Sequence, residues 1–180
     1  MSFQDLLARI QQQPQDADYH SLRMAYARSP EYAPYVHDLE GVERLRDALQ
    51  SGDLEAALLA VGRLLSFNYL DIEAHMAADY VYTMQGDTDR STYHRTVARG
   101  LIDAINDTGD GNSPETAYIV LNIPEEYTFM RLLGYTPGQQ TLVTRDEHEF
   151  DMFDVEDPEG QTRQIYFNID LPRQWLEGQM

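Results

Sequence analysis

One histidine of the chain, His75, stands between two aspartates at a spacing that could support acid–base chemistry. Asp71 and Asp79 lie four residues before and after it, so in a helix the three side chains share one face. A carboxylate beside an imidazole orients the ring as a general base or a metal ligand requires. A partly buried histidine in a charged stripe gives the same pattern, and catalysis would need a further group from elsewhere in the chain.

Three carboxylates join His75 and Asp79 as candidate catalytic residues: Glu125, Glu126 and Asp151. Adjacent residues of a helix point about 100° apart, so Glu125 and Glu126 cannot share one proton. Their position after Pro124 also suits the first turn of a helix, where the helix dipole favours negative charge. Asp151 follows His148 by three residues beside a predicted hairpin, where the two could line a pocket.

Other motifs that carry chemistry are incomplete. The segment Asp107-Thr108-Gly109 has the aspartic-protease triplet, but that chemistry needs two such loops, each after a strand, and the sequence has one. The same loop misses the calcium-binding spacing because glycines occupy its third and fifth positions. The chain has no cysteine, which excludes thiolate nucleophiles, thiolate metal sites and disulfides. We therefore expect no cofactor and no metal.

Charge restricts the classes of partner. The 31 acidic and 13 basic residues give a formal net charge of -18, which repels phosphate backbones and anionic membrane surfaces. We therefore expect neither nucleic acid nor membrane as a partner. A basic protein would be attracted, although high acidity can equally serve solubility or salt tolerance.

The first thirteen residues hold apolar side chains at helical spacing, interrupted by Asp5 and Arg9. This pattern matches neither the apolar core of a signal peptide nor a membrane span, which needs about 20 apolar residues. We therefore expect a cytoplasmic protein.

The His75 stripe belongs to the second of two central helices, predicted at 53–67 and 72–85. The first has one apolar face, whereas the second is apolar around more than half of its circumference. Such a helix needs neighbours on two sides. We therefore expect the pair to be enclosed, with a narrow polar stripe facing solvent, formed by Asp71, His75, Asp79 and Thr83.

The remaining periodicity predicts an α+β fold in a single domain, 1–180. Further helices are predicted at 1–13, 18–27, 38–51 and 93–105, so that a helical half of five to six helices, stacked as hairpins, covers 1–106. After a turn-rich segment at 107–114, residues 115–180 are predicted to form a small antiparallel sheet with one short helix that opens at Pro124. Its strands are predicted at 117–122, 139–144, 149–155 and 163–169, the last two as a hairpin.

Two resemblances add to this reading. The pair at 53–86 loosely resembles one tetratricopeptide-type helical hairpin, although neither flank repeats the pattern. A wider set of segments resembles a family of bacterial proteins catalogued as a domain of unknown function. These segments are Tyr19-His20-Ser21-Leu22-Arg23-Met24-Ala25-Tyr26, Ile72-Glu73-Ala74-His75, Gly109-Asp110-Gly111, Glu115-Thr116-Ala117-Tyr118, Glu125-Glu126-Tyr127 and Ile165-Tyr166-Phe167. The second resemblance implies no catalytic role for any residue.

Two functional hypotheses follow. The first is a non-enzymatic protein-interaction domain whose acidic surface meets a protein partner; an inhibitor or immunity-type protein for a basic partner would suit the size and charge. The second is a small hydrolase or transferase that uses His75 with carboxylates such as Glu125, Glu126 or Asp151.

Overall fold

A computed structural model of the chain describes residues 1–179. The helices and strands follow in the order α1 (Phe3–Gln12), α2 (Tyr19–Ala27), α3 (Leu39–Ser51), α4 (Leu54–Phe67), α5 (Ile72–Met84), α6 (Thr88–Asn106), β1 (Tyr118–Ile119), α7 (Ile123–Leu132), β2 (Thr136–Arg145), β3 (His148–Glu156), β4 (Thr162–Asn168) and α8 (Asp170–Glu177). The α+β class is confirmed, since most helices precede the four strands. Within residues 1–179, no helix is both long enough and apolar enough to cross a membrane.

The chain forms two compact units. The first contains Met1–Ala25 and Val36–Leu101, and the second contains Tyr26–Tyr35 and the chain from Ile102 onward. The helical half of the prediction therefore maps mainly onto the first unit and the predicted sheet onto the second. The prediction of a single domain stays a prediction.

The core of the first unit lies where α3, α4 and α5 meet. Aspartates at 38, 53 and 71 begin these helices, because each side chain accepts a hydrogen bond from a backbone N–H in the first turn. Small side chains then let the helices pack closely. The buried residues of this core are Leu45, Ala48, Ala57, Ala60, Val61, Leu64, Ala74, Ala78 and Val81.

The predicted orientation of α5 is wrong. His75 is fully buried and Asp79 is half-buried, whereas Tyr80 is 53% exposed and Met84 60% exposed. His75 and Asp79 of the polar stripe turn inward because α6 provides polar partners for them, Ser91, His94 and Arg95. Thr83, at the end of the stripe, is exposed.

The central helical pair is consequently not enclosed. On α4 Leu59 is 73% exposed, and on α5 Met76, Tyr80 and Met84 form a partly exposed apolar row at four-residue spacing. We call these three residues the outer row of α5.

The sheet of the second unit has the strand order β1–β4–β3–β2. β2–β3 and β3–β4 are antiparallel, but β1 runs parallel to β4, so the sheet is mixed and the prediction of an antiparallel sheet is corrected. The strand predicted at 117–122 has only two residues. It stops there because Leu121 donates its N–H to Glu125 and Asn122 caps α7, so both residues serve the helix start.

The predicted hairpin of the last two strands is confirmed, with Asp151 opposite Phe167 and Phe153 opposite Ile165. Ile165 and Phe167 are buried and Tyr166 is half-buried, as the alternation predicts. The structure adds α8, which the sequence analysis did not predict. Trp175 of this helix packs against Tyr35 with ring centroids 6.0 Å apart.

Substitution by alanine should change the free energy of unfolding in opposite directions at two helical glycines of the first unit. A Cβ at Gly100 would lie 2.2 Å from the ring of Tyr19, which is buried and donates a hydrogen bond to the Pro14 carbonyl. Gly100→Ala should therefore lower the free energy of unfolding by about 1–3 kcal/mol. At Gly62 nothing lies within 4 Å of the new Cβ, so Gly62→Ala should raise it by about 0.5–1 kcal/mol. Urea unfolding followed by circular dichroism measures both, and equal effects would contradict the packing of Tyr19 on α6.

Candidate functional site

His75 lies at the centre of an aromatic cluster in the first unit. Its Nδ1 is 2.9 Å from Nδ1 of His94, and its Nε2 is 2.9 Å from the backbone carbonyl of Tyr69. The ring of His94 stacks on Tyr82 with an interplanar angle of 18°. Both nitrogens of His75 are thus taken by groups other than the carboxylates of Asp71 and Asp79.

These contacts assign the protons of the two imidazoles. A carbonyl only accepts, so Nε2 of His75 carries a hydrogen and donates it to Tyr69. Neutral His75 then accepts at Nδ1, and His94 donates from its own Nδ1. Burial lowers the pKa of His75 to about 4, and it also lowers the pKa of His94. His75 is therefore a neutral, doubly hydrogen-bonded core residue at neutral pH.

Asp79 occupies a separate polar contact between α5 and α6. Its carboxylate accepts hydrogen bonds from Ser91 at 2.6 Å and from Arg95 at 2.8 and 2.9 Å. Although partial burial opposes ionisation, these bonds and the charge of Arg95 lower the pKa of Asp79. Asp79 joins two helices and has no geometry for orienting His75 as a base.

The second unit contains a buried carboxyl pair. Glu126 of α7 is fully buried and faces Asp151 of β3, which is 6% exposed. Within residues 1–179, neither oxygen of Glu126 receives a hydrogen bond. Burial first, and then the charge of Asp151, raises the pKa of Glu126 to about 9. At neutral pH Glu126 is a carboxylic acid beside a second carboxyl group.

Glu125 does not belong to this pair, although it precedes Glu126 in the chain. Its carboxylate accepts the N–H of Leu121 at 2.7 Å and lies near the start of α7. The sequence argument that adjacent glutamates of a helix cannot share a proton agrees with this arrangement. The carboxyl group that contributes most to raising the pKa of Glu126 comes instead from the sheet, as Asp151 of β3.

Three further residues surround the carboxyl pair. Glu149 of β3 forms an ion pair with Arg173 of α8. The phenol of Tyr35 lies within reach of these charges: burial raises its pKa, Arg173 opposes the rise, and Asp151, Glu149 and Glu126 add to it. We call Tyr35, Glu126, Glu149, Asp151 and Arg173 the carboxyl cluster.

His148 lies at the start of β3 but does not join Asp151. Its Nδ1 is 2.5 Å from a carboxylate oxygen of Asp170, whose other oxygen accepts the N–H of Glu149 at 2.9 Å. Residues three apart on a strand point to opposite faces. The histidine–aspartate pair suggested by the spacing of His148 and Asp151 is therefore not formed.

The five candidate residues are thus distributed over both units. His75 and Asp79 lie in the first unit, and Glu125, Glu126 and Asp151 lie in the second. Of the five, Glu126 and Asp151 are the two that come together as a buried pair from separate elements. The sequence analysis missed His94, Tyr35 and Arg173, because no local spacing connects them to their partners. Among the described residues, no group of three or more histidine, aspartate and glutamate side chains could hold a metal ion.

The fold and site together describe an α+β protein with a hydrogen-bonded histidine pair in one unit and a buried carboxyl pair in the other. The chain belongs to the family described as a domain of unknown function (DUF4919), whose sequence model matches residues 1–177. No curated protein and no solved structure matches the chain.

The carboxyl pair predicts that Glu126→Gln stabilises the protein at alkaline pH. The pKa of Glu126 rises from 4.5 in a model peptide to about 9 when folded, so the folded chain retains a proton that the unfolded chain releases. Its stabilising contribution is complete below about pH 4.5 and is lost as the pH rises towards 9. Glutamine keeps the shape without the charge, and it should raise the free energy of unfolding by about 1–3 kcal/mol at pH 8.

Urea unfolding at pH 5 and pH 8 measures this difference. The advantage of Glu126→Gln over the wild type should shrink at pH 5, because the pH is then close to the pKa of 4.5 in the unfolded chain, and ionisation of Glu126 stabilises the unfolded state much less than it does at pH 8. Glu125→Gln is the matched control, since it keeps the carboxyl group of Glu126, its burial and its neighbour Asp151, and removes only the smallest of the contributions that raise its pKa. A Glu126→Gln protein no more stable than the wild type at pH 8 would show that Glu126 is not buried as an acid.

The histidine pair predicts a titration at unusually low pH. Because the folded pKa of His75 is about 4 against 6.5 in a model peptide, the unfolded chain takes up this proton first as the pH falls. The stability that neutral His75 supplies is complete above about pH 6.5 and is lost between there and about pH 4. In NMR spectra the ring signals of His75 should stay constant from pH 8 to about pH 5. A midpoint near 6.5 would contradict the burial of this ring.

Proposed function

We propose that the protein is a non-enzymatic interaction domain that binds a basic protein partner, and that it does so in the cytoplasm. The observation that carries the proposal is the outer row of α5. Met76, Tyr80 and Met84 lie on one helix face, and the last two are more than half exposed. Methionine and aromatic side chains are enriched in the cores of protein interfaces.

The surroundings of this row indicate the charge of the partner. Glu73 is exposed about one turn before Met76 and two turns before Tyr80, and Asp89 is exposed shortly after α5. The chain as a whole carries -18. An apolar row in a negative field fits a partner surface with an apolar centre and a basic rim, since charge complementarity accelerates encounter and excludes acidic competitors.

This proposal predicts that Tyr80→Ser/Met84→Ser weakens partner binding by tenfold or more, because exposed aromatic and methionine side chains supply much of the energy of such interfaces. Both positions are solvent-exposed, so the fold should persist. The wild-type and variant chains are immobilised and exposed to lysate from the source organism. The retained protein is then purified, and its dissociation constant for each chain is measured by titration.

Leu59→Ser is the matched control, because Leu59 is an even more exposed apolar residue on the neighbouring helix α4. It should bind as the wild type does. The retained protein should be basic and should elute as the salt concentration rises. An acidic partner, or equal retention by the double variant, would contradict the proposal.

A second candidate function is acid–base catalysis by the carboxyl cluster of the second unit. One observation favours it: a carboxylic acid and a carboxylate held together are the combination that general acid and general base steps use. His75 takes no part in this version, because both of its nitrogens are occupied within its own cluster. Glu126 and Asp151 would be the catalytic residues, and either Glu126→Gln or Asp151→Asn would abolish the activity.

A further inference from the structure

The free edge of the sheet is formed by β2. This strand is last in the order β1–β4–β3–β2 and pairs only with β3. A register shift lies between Pro137 and Gln140, after which the pairing is regular from Gln140 to Arg145. Six consecutive residues therefore offer one edge on which another strand could pair.

The turn between β2 and β3 indicates which backbone groups of β2 point to the free edge. Asp146 and Glu147, which connect β2 to β3, both have positive φ, at 51° and 68°. Such a two-residue turn makes its flanking pair, Arg145 and His148, a hydrogen-bonded pair. By alternation, Val143 and Thr141 also bond to β3. The N–H and C=O groups of Gln140, Leu142 and Thr144 then point to the free edge.

The opposite side of the sheet agrees with this assignment. Tyr166 of β4 donates its N–H to the carbonyl of Gly111, so its backbone points away from β3. Its partner on β3 is Met152, which must therefore direct its backbone to β2 and bond Thr141. In the described chain, the N–H groups of Gln140, Leu142 and Thr144 donate to no backbone carbonyl outside the strand ladder, and the register directs them away from β3.

From Gln140 to Thr144, β2 also lacks the usual protection of an edge strand, since Pro137 and the register shift both lie before this stretch. Every residue from 136 to 142 is exposed, including Leu142 at 56%, and Val143 is half-buried. Residues 136–144 contain no charged side chain in a chain that is 24% charged. Arg145 is ion-paired with Glu115 at 2.6 Å. Natural edges are commonly blocked by lysines, inward-facing charges or bulges along the pairing stretch.

Charge at the two ends of β2 identifies the occupant. One end leads into Asp146 and Glu147, which are both exposed, and the other pairs with Glu156, beside the exposed Glu159. A second copy of this chain, paired by twofold symmetry, would place one acidic end against the other at both ends of the contact. An extended segment with basic ends and an uncharged, β-prone centre meets no such repulsion.

We propose that β2 binds an extended, basic segment of a partner protein by strand addition, which extends the sheet by one strand. The inference rests on the proposed function, because it names a second surface for a basic protein partner and the form in which the partner binds. Backbone pairing with Gln140, Leu142 and Thr144 supplies affinity, and the acidic ends select the charge of the segment.

The test uses the full chain and a synthetic peptide of about nine residues, with alternating valine and threonine between two lysines at each end. The peptide is N-methylated along one edge, which prevents its own aggregation and leaves the other edge able to pair. On binding, amide exchange by NMR should slow by at least tenfold at Leu142 and Thr144. Thr141 and Val143, already bonded to β3, serve as internal references and should change little.

The matched ligand is the same peptide N-methylated along both edges, which keeps its charge and loses its donors. It should bind at least tenfold more weakly. On the protein side, Leu142→Pro removes an outward N–H and should weaken binding, whereas Leu142→Thr keeps that N–H and should not. If Leu142→Pro does not fold, the comparison of the two N-methylated peptides still tests whether β2 binds by strand addition.

Three results would overturn the proposal: no slowing at the edge amides, equal binding of the two peptides, or slowing of the same amides without peptide in a concentration-dependent dimer. The last result would identify a second copy as the occupant. The Tyr80→Ser/Met84→Ser protein should still bind the peptide. Loss of partner capture through α5 and loss of strand addition at β2 are therefore separate outcomes.

Discussion

Two polar side chains of α5, His75 and Asp79, turn inward because α6 supplies hydrogen-bond partners for them. Asp79 receives bonds from Ser91 and Arg95, and His75 receives one from His94. A buried donor or acceptor without a partner costs about 1–3 kcal/mol, so α5 can turn this side inward only against a helix of matching polarity. The opposite side, with Tyr80 and Met84, is then left to solvent. The apolar row is thus exposed because His75 and Asp79, on the other side of α5, are turned inward against partners in α6.

In the second unit, the cost of burying a polar group is avoided by protonation and not by hydrogen bonding. Glu126 is buried without a hydrogen-bond donor among the described residues, and it avoids the cost of a buried charge by remaining protonated. Asp151 makes that solution stable, because a second negative charge at the same place would be strongly unfavourable. The nearby charge of Glu149 is neutralised by its ion pair with Arg173. A neutral acid held in this way lowers the stability of the fold progressively as the pH rises from about 4.5 towards 9.

The sequence predicted the elements far better than their contacts. Helix starts at Asp38, Asp53 and Asp71 follow from local capping chemistry, and the alternation of Ile165, Tyr166 and Phe167 identifies the buried face of β4. Periodicity shows which residues share a face of α5, but not which face turns inward, since that depends on Ser91, His94 and Arg95 in another helix. The pairing of Glu126 with Asp151 was equally invisible, because 25 residues and a change from helix to strand separate them. The parallel direction of β1 is also a property of the chain path and not of local spacing.

Net charge and the two exposed features have complementary physical roles. A charge of -18 attracts basic proteins over a distance of about one Debye length, roughly 8 Å at physiological ionic strength, but it does not distinguish one basic protein from another. Discrimination needs short-range contacts, and those are offered where charge is absent, at the outer row of α5 and along β2. The same charge opposes self-association of an edge strand whose regular stretch, Gln140 to Thr144, carries no charged side chain of its own. The acidity of the chain can thus keep β2 open for a basic strand while discouraging its pairing with another copy.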